Sequence, residues 1–235
     1  MRIRKILMLG TLAGVVFSTG WTLTAQSDET ERVQKASKVF DEIMSAEDKA
    51  IPSAILEKAQ GIAVFPSTLK AGLGIGGQHG RGIVSAREGA TWSNPGFLTL
   101  TGGSFGAQIG AQELDLVLVV MNKAGLENLV KNEFKIGADA SAAAGPIGRA
   151  AEASTDIQLK AEILSYSRAR GLFAGVTLNG SAIREDEDAN QRFYGRQVRN
   201  RDLLLSQPGA VGTTGATGVA SVIGTWHQTL KKYAK

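Results

Sequence analysis

Apolar positions set the first element. Val33, Ala36, Val39, Phe40, Ile43 and Met44 recur at three- and four-residue intervals, which predicts an amphipathic helix over residues 28–45. Ser27 or Asp28 stands where its cap belongs. Pro52 and Ser53 predict a short second helix through residue 58, with Ser53 as N-cap. From residue 61 the period falls to two, and strands are expected at 61–65, 81–86, 97–101, 104–113 and 115–121. Gly72, Gly74 and Gly76 alternate with Leu73 and Ile75, so all three share one strand face. Such glycines mark close backbone approach or a sharp bend. Glu88-Gly89 suits a tight turn into Thr91 and Trp92, and Asn122 can cap a helix over 123–131. A strand is expected over 135–144. Residues 155–168 and 172–183 predict a long antiparallel pair joined through Arg170 and Gly171. Helix returns over 185–194, where acidic residues suit the first turn, and again over 201–205. Residues 207–218 read as a Gly/Thr-rich linker. Val219, Val222, Ile223, Trp226, Leu230 and Tyr233 then fall within an arc of about 100°, predicting a final amphipathic helix over 219–235. The sum is one α+β domain: a strongly bent, glycine-rich antiparallel sheet flanked by short helices.

The N-terminus changes the charge picture. Arg2, Arg4 and Lys5 precede an apolar run over 6–17, and Leu23-Thr24-Ala25 offers a small-residue cleavage site. This is the anatomy of a secretory signal over residues 1–25, on a run shorter than the roughly 20 residues a bilayer needs. An uncleaved anchor is the alternative. Three of the 26 Lys and Arg lie in this segment and none of the 22 Asp and Glu, so the remainder holds 23 cations against 22 acids, a net charge of +1. That balance gives nucleic acid no basic patch to bind. The apolar fraction of 43% supports a packed core without cysteine, of which there is none. Absent cysteine removes thiol nucleophiles and thiolate metal sites. Two histidines, His79 and His227, are a poor start for zinc or iron. No cofactor is implied.

Three motifs invite chemistry. Gly102-Gly-Ser-Phe-Gly106 fits the G-x-S-x-G pattern, and Ser104, Asp115 and His227 can be written as a triad. The pattern needs a strand, a sharp turn and a helix, whereas the residues after Ser104 continue as strand. Gly72-Leu-Gly-Ile-Gly-Gly77 lacks the Lys and Ser/Thr of a phosphate loop. Glu185-Asp-Glu-Asp188 lacks the alternating ligands and central glycine of a calcium loop, and reads better as a solvated helix start.

Seven blocks in order carry a family resemblance: Gly61-Ile-Ala-Val-Phe-Pro66, Trp92-Ser-Asn-Pro95, Gly106-Ala-Gln-Ile-Gly110, Asp115-Leu-Val-Leu-Val119, Ala144-Gly-Pro-Ile-Gly-Arg149, Ser165-Tyr-Ser-Arg-Ala-Arg-Gly-Leu-Phe-Ala-Gly175 and Phe193-Tyr-Gly195. Over roughly residues 33–205 the chain resembles the SYLF family, also called the Ysc84-like domain. The resemblance implies a lipid-binding module, with phosphoinositides and in some members actin as eukaryotic ligands. It also implies a bacterial exported type, for which an anionic phospholipid is the more plausible ligand. The domain itself would span 26–206.

The resemblance ties the first helix to membrane contact. On that helix Arg32 and Lys35 flank the apolar arc, where long cations can run along apolar surface toward phosphates. Glu31 and Glu42 share that side. On the last helix Trp226 suits the headgroup level, with Lys231 and Lys232 opposite. Arg149, Arg168 and Arg170 lie at loops where guanidiniums can take a phosphate, or pair with Glu152 or Glu162. Either helix can instead dock on the domain's own sheet. The expected function is non-catalytic lipid binding at a bacterial envelope membrane, by an exported, periplasmic or extracellular, peripherally associated protein. A structural or protein-partner module, with self-association left open, is the alternative. A serine hydrolase using Ser104 is the third.

Overall fold

The computed structural model describes residues 20–46, 51–147, 160–169, 172–176, 178, 180–206 and 218–234. At 20–27, 73–75, 104–110, 173 and 175 it describes the backbone alone. The first helix, α1, covers Gly20–Met44, starting earlier than the apolar period predicts. Leu23-Thr24-Ala25 therefore lies within its span. No helix among the described residues is long and apolar enough to cross a membrane. Helix α2 is Ser53–Lys58, and its N-cap is Pro52; Ser53 is the first helical residue and makes no capping bond.

Two strands dominate the sheet. Strand β1 runs Gly61–Glu88, turns at Gly89 into the short β2, Thr91–Trp92, and β3 then runs Gly96–Val120. The sequence predicts these as five or more separate strands. They are continuous because one antiparallel ladder joins them from Gly61↔Val120 to Val84↔Gly96, interrupted by register shifts at Phe65/Thr68 and Leu73/Ile75. Register shifts bend a strand without ending it.

The bend is extreme. The Arg87 amide donates to the Gln60 carbonyl at 2.8 Å, so β1 curls until its two ends meet. Its glycines make this possible. A Cβ on Gly82 would lie 2.5 Å from the Val64 carbonyl oxygen and 2.6 Å from the Phe65 ring. One on Gly80 would collide with Thr68. The sheet is thus strongly bent and glycine-rich, as the sequence predicts. The close approaches are documented at Gly80 and Gly82, however, whereas a Cβ on neighbouring Gly77 would meet only one atom, at an ordinary 3.8 Å.

Helix α3, Lys123–Leu129, is capped by Asn122, whose side chain accepts from the Gly125 amide at 2.8 Å. The strand expected over 135–144 is broken at Gly137, where φ is 87°, into β4, Glu133–Lys135, and β5, Ala142–Ala144. Strand β6 is Ile163–Ala169 and pairs antiparallel with β7, Leu172–Gly175, and with the end of β3. The expected long hairpin is short: β8, Ser181–Glu185, leaves it to pair with β3 and β4. One pair, β5 with β6, is parallel, so the eight-stranded sheet is mixed. Helix α4, Glu187–Tyr194, is capped by Asp186, and α5 spans Asn200–Leu205. The expected linker over 207–218 lies outside the described residues but for Gly218, and α6, Val219–Tyr233, follows. The core lies between the curled sheet and the helices, with Phe40, Phe65, Phe97, Tyr166, Phe193 and Trp226 fully buried.

Candidate functional site

The expected membrane groups have other roles in the fold. Trp226 is fully buried, and its indole N–H donates to Ser85 Oγ at 2.9 Å. Its ring meets Phe40 edge to face at 6.1 Å, as does Tyr233. The apolar arc of α6 is therefore docked on α1 and the sheet, the second of the two outcomes the sequence allows. Lys232 remains exposed, yet Nζ bonds Asp41 Oδ1 at 2.8 Å, and the Tyr233 hydroxyl donates to the same oxygen. These two bonds hold the Asp41 carboxyl below its usual range. Lys231 is exposed. Arg168 donates to Asp115 and Glu42, tying β6 to β3 and α1, while Glu162 accepts from the Ser141 amide and Glu152 lies outside the described residues. Arg149 and Arg170 lie outside the described residues.

Arg32 is the clearest correction. Placed by the helical wheel on the shoulder of α1, it is only 7% exposed. Its guanidinium bridges Glu29 and Asp186, at 3.0 Å each, and stacks over the Phe97 ring at 5.2 Å. The wheel could not show that α4 and β3 close over this side. Glu29, 1% exposed, also holds Arg192 at 2.6 Å. A third guanidinium, Arg81, approaches Glu29 at 3.8 Å and Asp186 at 3.9 Å. Burial lowers the Arg32 pKa, Arg81 lowers it further, and the two carboxylates pull it back up. Lys35 stays exposed and pairs with Glu31 at 2.7 Å.

This cluster forms one wall of a cleft of about 330 Å3 between α1 and β1. Asp28, Glu31, Arg32 and Lys35 line it from the helix. Pro66, Ser67 and Leu69 line it from one stretch of β1, and His79, Gly80 and Arg81 from another. Ten residues of separation within one strand become neighbours only because β1 doubles back. Sequence reasoning missed the cleft for that reason. The available signal was the i, i+2 spacing of His79 and Arg81, which puts both on one strand face.

Ser104 sits inside the β1–β3 ladder opposite Gly76, with strand continuing to Val120, so the strand–turn–helix elbow is missing. His227 Nε2 faces the Ser93 carbonyl at 3.0 Å, and Asp115 pairs with Arg168. His227 and Asp115 are thus each held by partners of their own. Gly72 to Gly77 likewise lie within β1, where no helix opens on them. In the acidic run at 185–188, Glu185 bonds Arg199 and Asp186 caps α4 through the Ala189 amide, while Glu187 and Asp188 are exposed in the first turn of α4.

Comparison with known proteins fixes the family. The family model described as Ysc84, Las17-binding protein actin regulator, matches residues 101–226. SH3 domain-containing YSC84-like protein 1 of Rattus norvegicus is 34% identical over 181 residues, covering 75% of this chain and 53% of that protein. Protein YSC84 of Saccharomyces cerevisiae is 32% identical over 183 residues, covering 75% of this chain and 39% of its own length. LAS seventeen-binding protein 3 of the same species is 35% identical over 182 residues with the same coverage. The chain thus spans about half the length of the SH3-containing relatives it matches, and less of the yeast ones. The alternating blocks of the curled sheet and the family match agree, and the chain belongs to the Ysc84 family.

Proposed function

We propose that this chain is a non-catalytic docking module whose principal ligand is another protein, working outside the cytoplasm. The observation that carries this reading is the seat of α6. Trp226, the residue best suited to a membrane headgroup layer, is buried and bonded to Ser85, and Arg32 is enclosed by carboxylates. A fold that turns Trp226 and Arg32 inward favours a rigid surface for a partner over a membrane-seeking face. The description of the matched family, Las17 binding and actin regulation, supports a protein ligand. The N-terminal basic and apolar segments support export.

One observation favours the lipid reading as a second. Leu172 is 68% exposed at the tip of the β6–β7 hairpin, and Lys35 and Lys231 are exposed too. An exposed leucine at a hairpin end, with exposed lysines elsewhere on the surface, suits a shallow membrane contact. The test pairs sedimentation equilibrium of the exported protein, alone and with filamentous actin, with liposome co-sedimentation over a range of anionic lipid. Protein association without vesicle binding supports docking. Vesicle binding that grows with anionic fraction, with no protein association, overturns it in favour of lipid.

A further inference from the structure

The cleft between α1 and β1 has a charge inventory that its own pairs do not close. Lys35 and Glu31 satisfy each other at 2.7 Å. Arg32 hydrogen-bonds Asp186 and lies 3.0 Å from Glu29 in an ion pair that makes no hydrogen bond, both groups being buried away from any ligand. Two exposed groups are left. Arg81, 47% exposed, faces carboxylates that already hold closer guanidiniums, and its separations of 3.8 and 3.9 Å exceed hydrogen-bonding distance. Glu29 and Asp186 are thus shared among Arg32, Arg81 and Arg192, the last of which Asp188 also attracts. Arg81 is the most loosely paired of the three, and it disfavours the charge on Arg32. Across the cleft, on α1, the Asp28 carboxylate is exposed and makes no hydrogen bond or ion pair among the described residues.

We propose that this cleft binds a small zwitterion, with its oxyanion on Arg81 and His79 and its primary ammonium on Asp28. A guanidinium presents a fork of donors that matches phosphate or carboxylate oxygens. His79, exposed and two residues earlier on the same strand, adds a further donor. An anion seated on Arg81 gives it the close partner it lacks, and an ammonium on Asp28 closes the other side. Leu69, 51% exposed at the same cleft, offers apolar surface to the carbons between the two charges. A volume of about 330 Å3 lies within the range of small-ligand sites. The backbone carries a further mark. Ser67, on the cleft wall, has φ of 53°, a conformation a non-glycine residue adopts at some cost, and such strain gathers at ligand sites. Free phosphoethanolamine and the headgroup of phosphatidylethanolamine share this chemistry. The inference does not rest on the protein-docking reading.

The test is calorimetric titration of the full chain with phosphoethanolamine, ethanolamine and inorganic phosphate. Phosphoethanolamine is expected to bind at least about tenfold more tightly than either fragment, since a hydrogen bond to a charged group contributes on the order of a tenfold factor. Asp28→Asn is expected to remove that advantage while leaving inorganic phosphate unaffected. Arg81→Gln is expected to weaken phosphoethanolamine and phosphate together, and Lys38→Ala to change nothing. Vesicles of phosphatidylcholine with and without phosphatidylethanolamine then separate the sources: retention on the second assigns a lipid headgroup, and binding of the free probe alone assigns a soluble ligand. Equal affinity for phosphate and phosphoethanolamine overturns the proposal. So does wild-type binding by Asp28→Asn, an exposed position whose substitution leaves the fold intact, or the absence of binding to every probe.

Discussion

The Phe65 ring fills the space that a side chain on Gly82 would need. The two residues belong to one strand, seventeen positions apart, and a Cβ on Gly82 would lie 2.6 Å from that ring and 2.5 Å from the Val64 carbonyl oxygen. Backbone and a fully buried aromatic cannot yield as a flexible side chain can.

Gly82→Val is therefore expected to destabilise by overpacking, at about 1–3 kcal/mol or more. Gly103, on the partner strand, has nothing within 4 Å of a Cβ. Gly103→Ala should leave the thermal midpoint close to wild type. Equal midpoints for both variants would mean that β1 does not double back in solution.

Glu29 is expected to be the least dispensable acid. It is 1% exposed and faces Arg32, Arg192 and Arg81. Removing one partner of a buried pair costs about 3–5 kcal/mol, and partial exposure of Arg192 and Arg81 favours the lower end. Glu29→Ala should lower the urea midpoint sharply. Lys38→Ala, which breaks an exposed pair with Glu42, should cost under about 1 kcal/mol.

Much of this fold was legible in the sequence. The period of Val33 to Met44, the Asn122 cap, the Gly89 turn and the apolar arc from Val219 to Tyr233 are local signals, and the structure keeps each of them. The length of β1 and β3 was not, because a register shift looks like a strand end when only one strand is read. The site was less legible still. Arg32 reads as a shoulder cation until Asp186, 154 residues away, is brought beside it. Ser67 and Arg81 share a cleft through a curl that no period encodes.

Cleavage is expected between Ala25 and Gln26. That cut would remove the first residues of α1 and leave Val33, Ala36, Phe40 and Ile43, all buried, to hold the helix on the core. Intact-mass measurement of the exported protein checks it. A chain that retains Met1 would instead be anchored or internal.

Trp226 is expected to act through stability first. Trp226→Ala should cost about 3–5 kcal/mol, because a fully buried ring is removed and Ser85 loses its donor. Trp226→Phe should recover most of that loss. Lys231→Ala with Lys232→Ala should leave the thermal midpoint near wild type, because both side chains are exposed. Membrane binding that falls for the lysine pair but not for Trp226→Phe would separate a surface contribution from packing.

His227 should make stability depend on pH near neutrality. Burial lowers its pKa, Lys231 lowers it further, and the bond to the Ser93 carbonyl offsets only part. The folded value is therefore below the unfolded one, which is about 6.5. The unfolded chain takes up the proton first as pH falls, so this residue's contribution is complete above the unfolded pKa. It is lost progressively as pH falls from there toward the folded value, and it levels off below that. The depressed Asp41 carboxyl acts in a lower window, below its ordinary range near about 4. Denaturant midpoints measured from about pH 8 to about pH 5 should fall for the wild type. His227→Gln should flatten that slope, because its amide can still donate to Ser93 but does not titrate. A slope unchanged in His227→Gln would show that α6 is not held on the Trp92–Pro95 turn by a neutral ring.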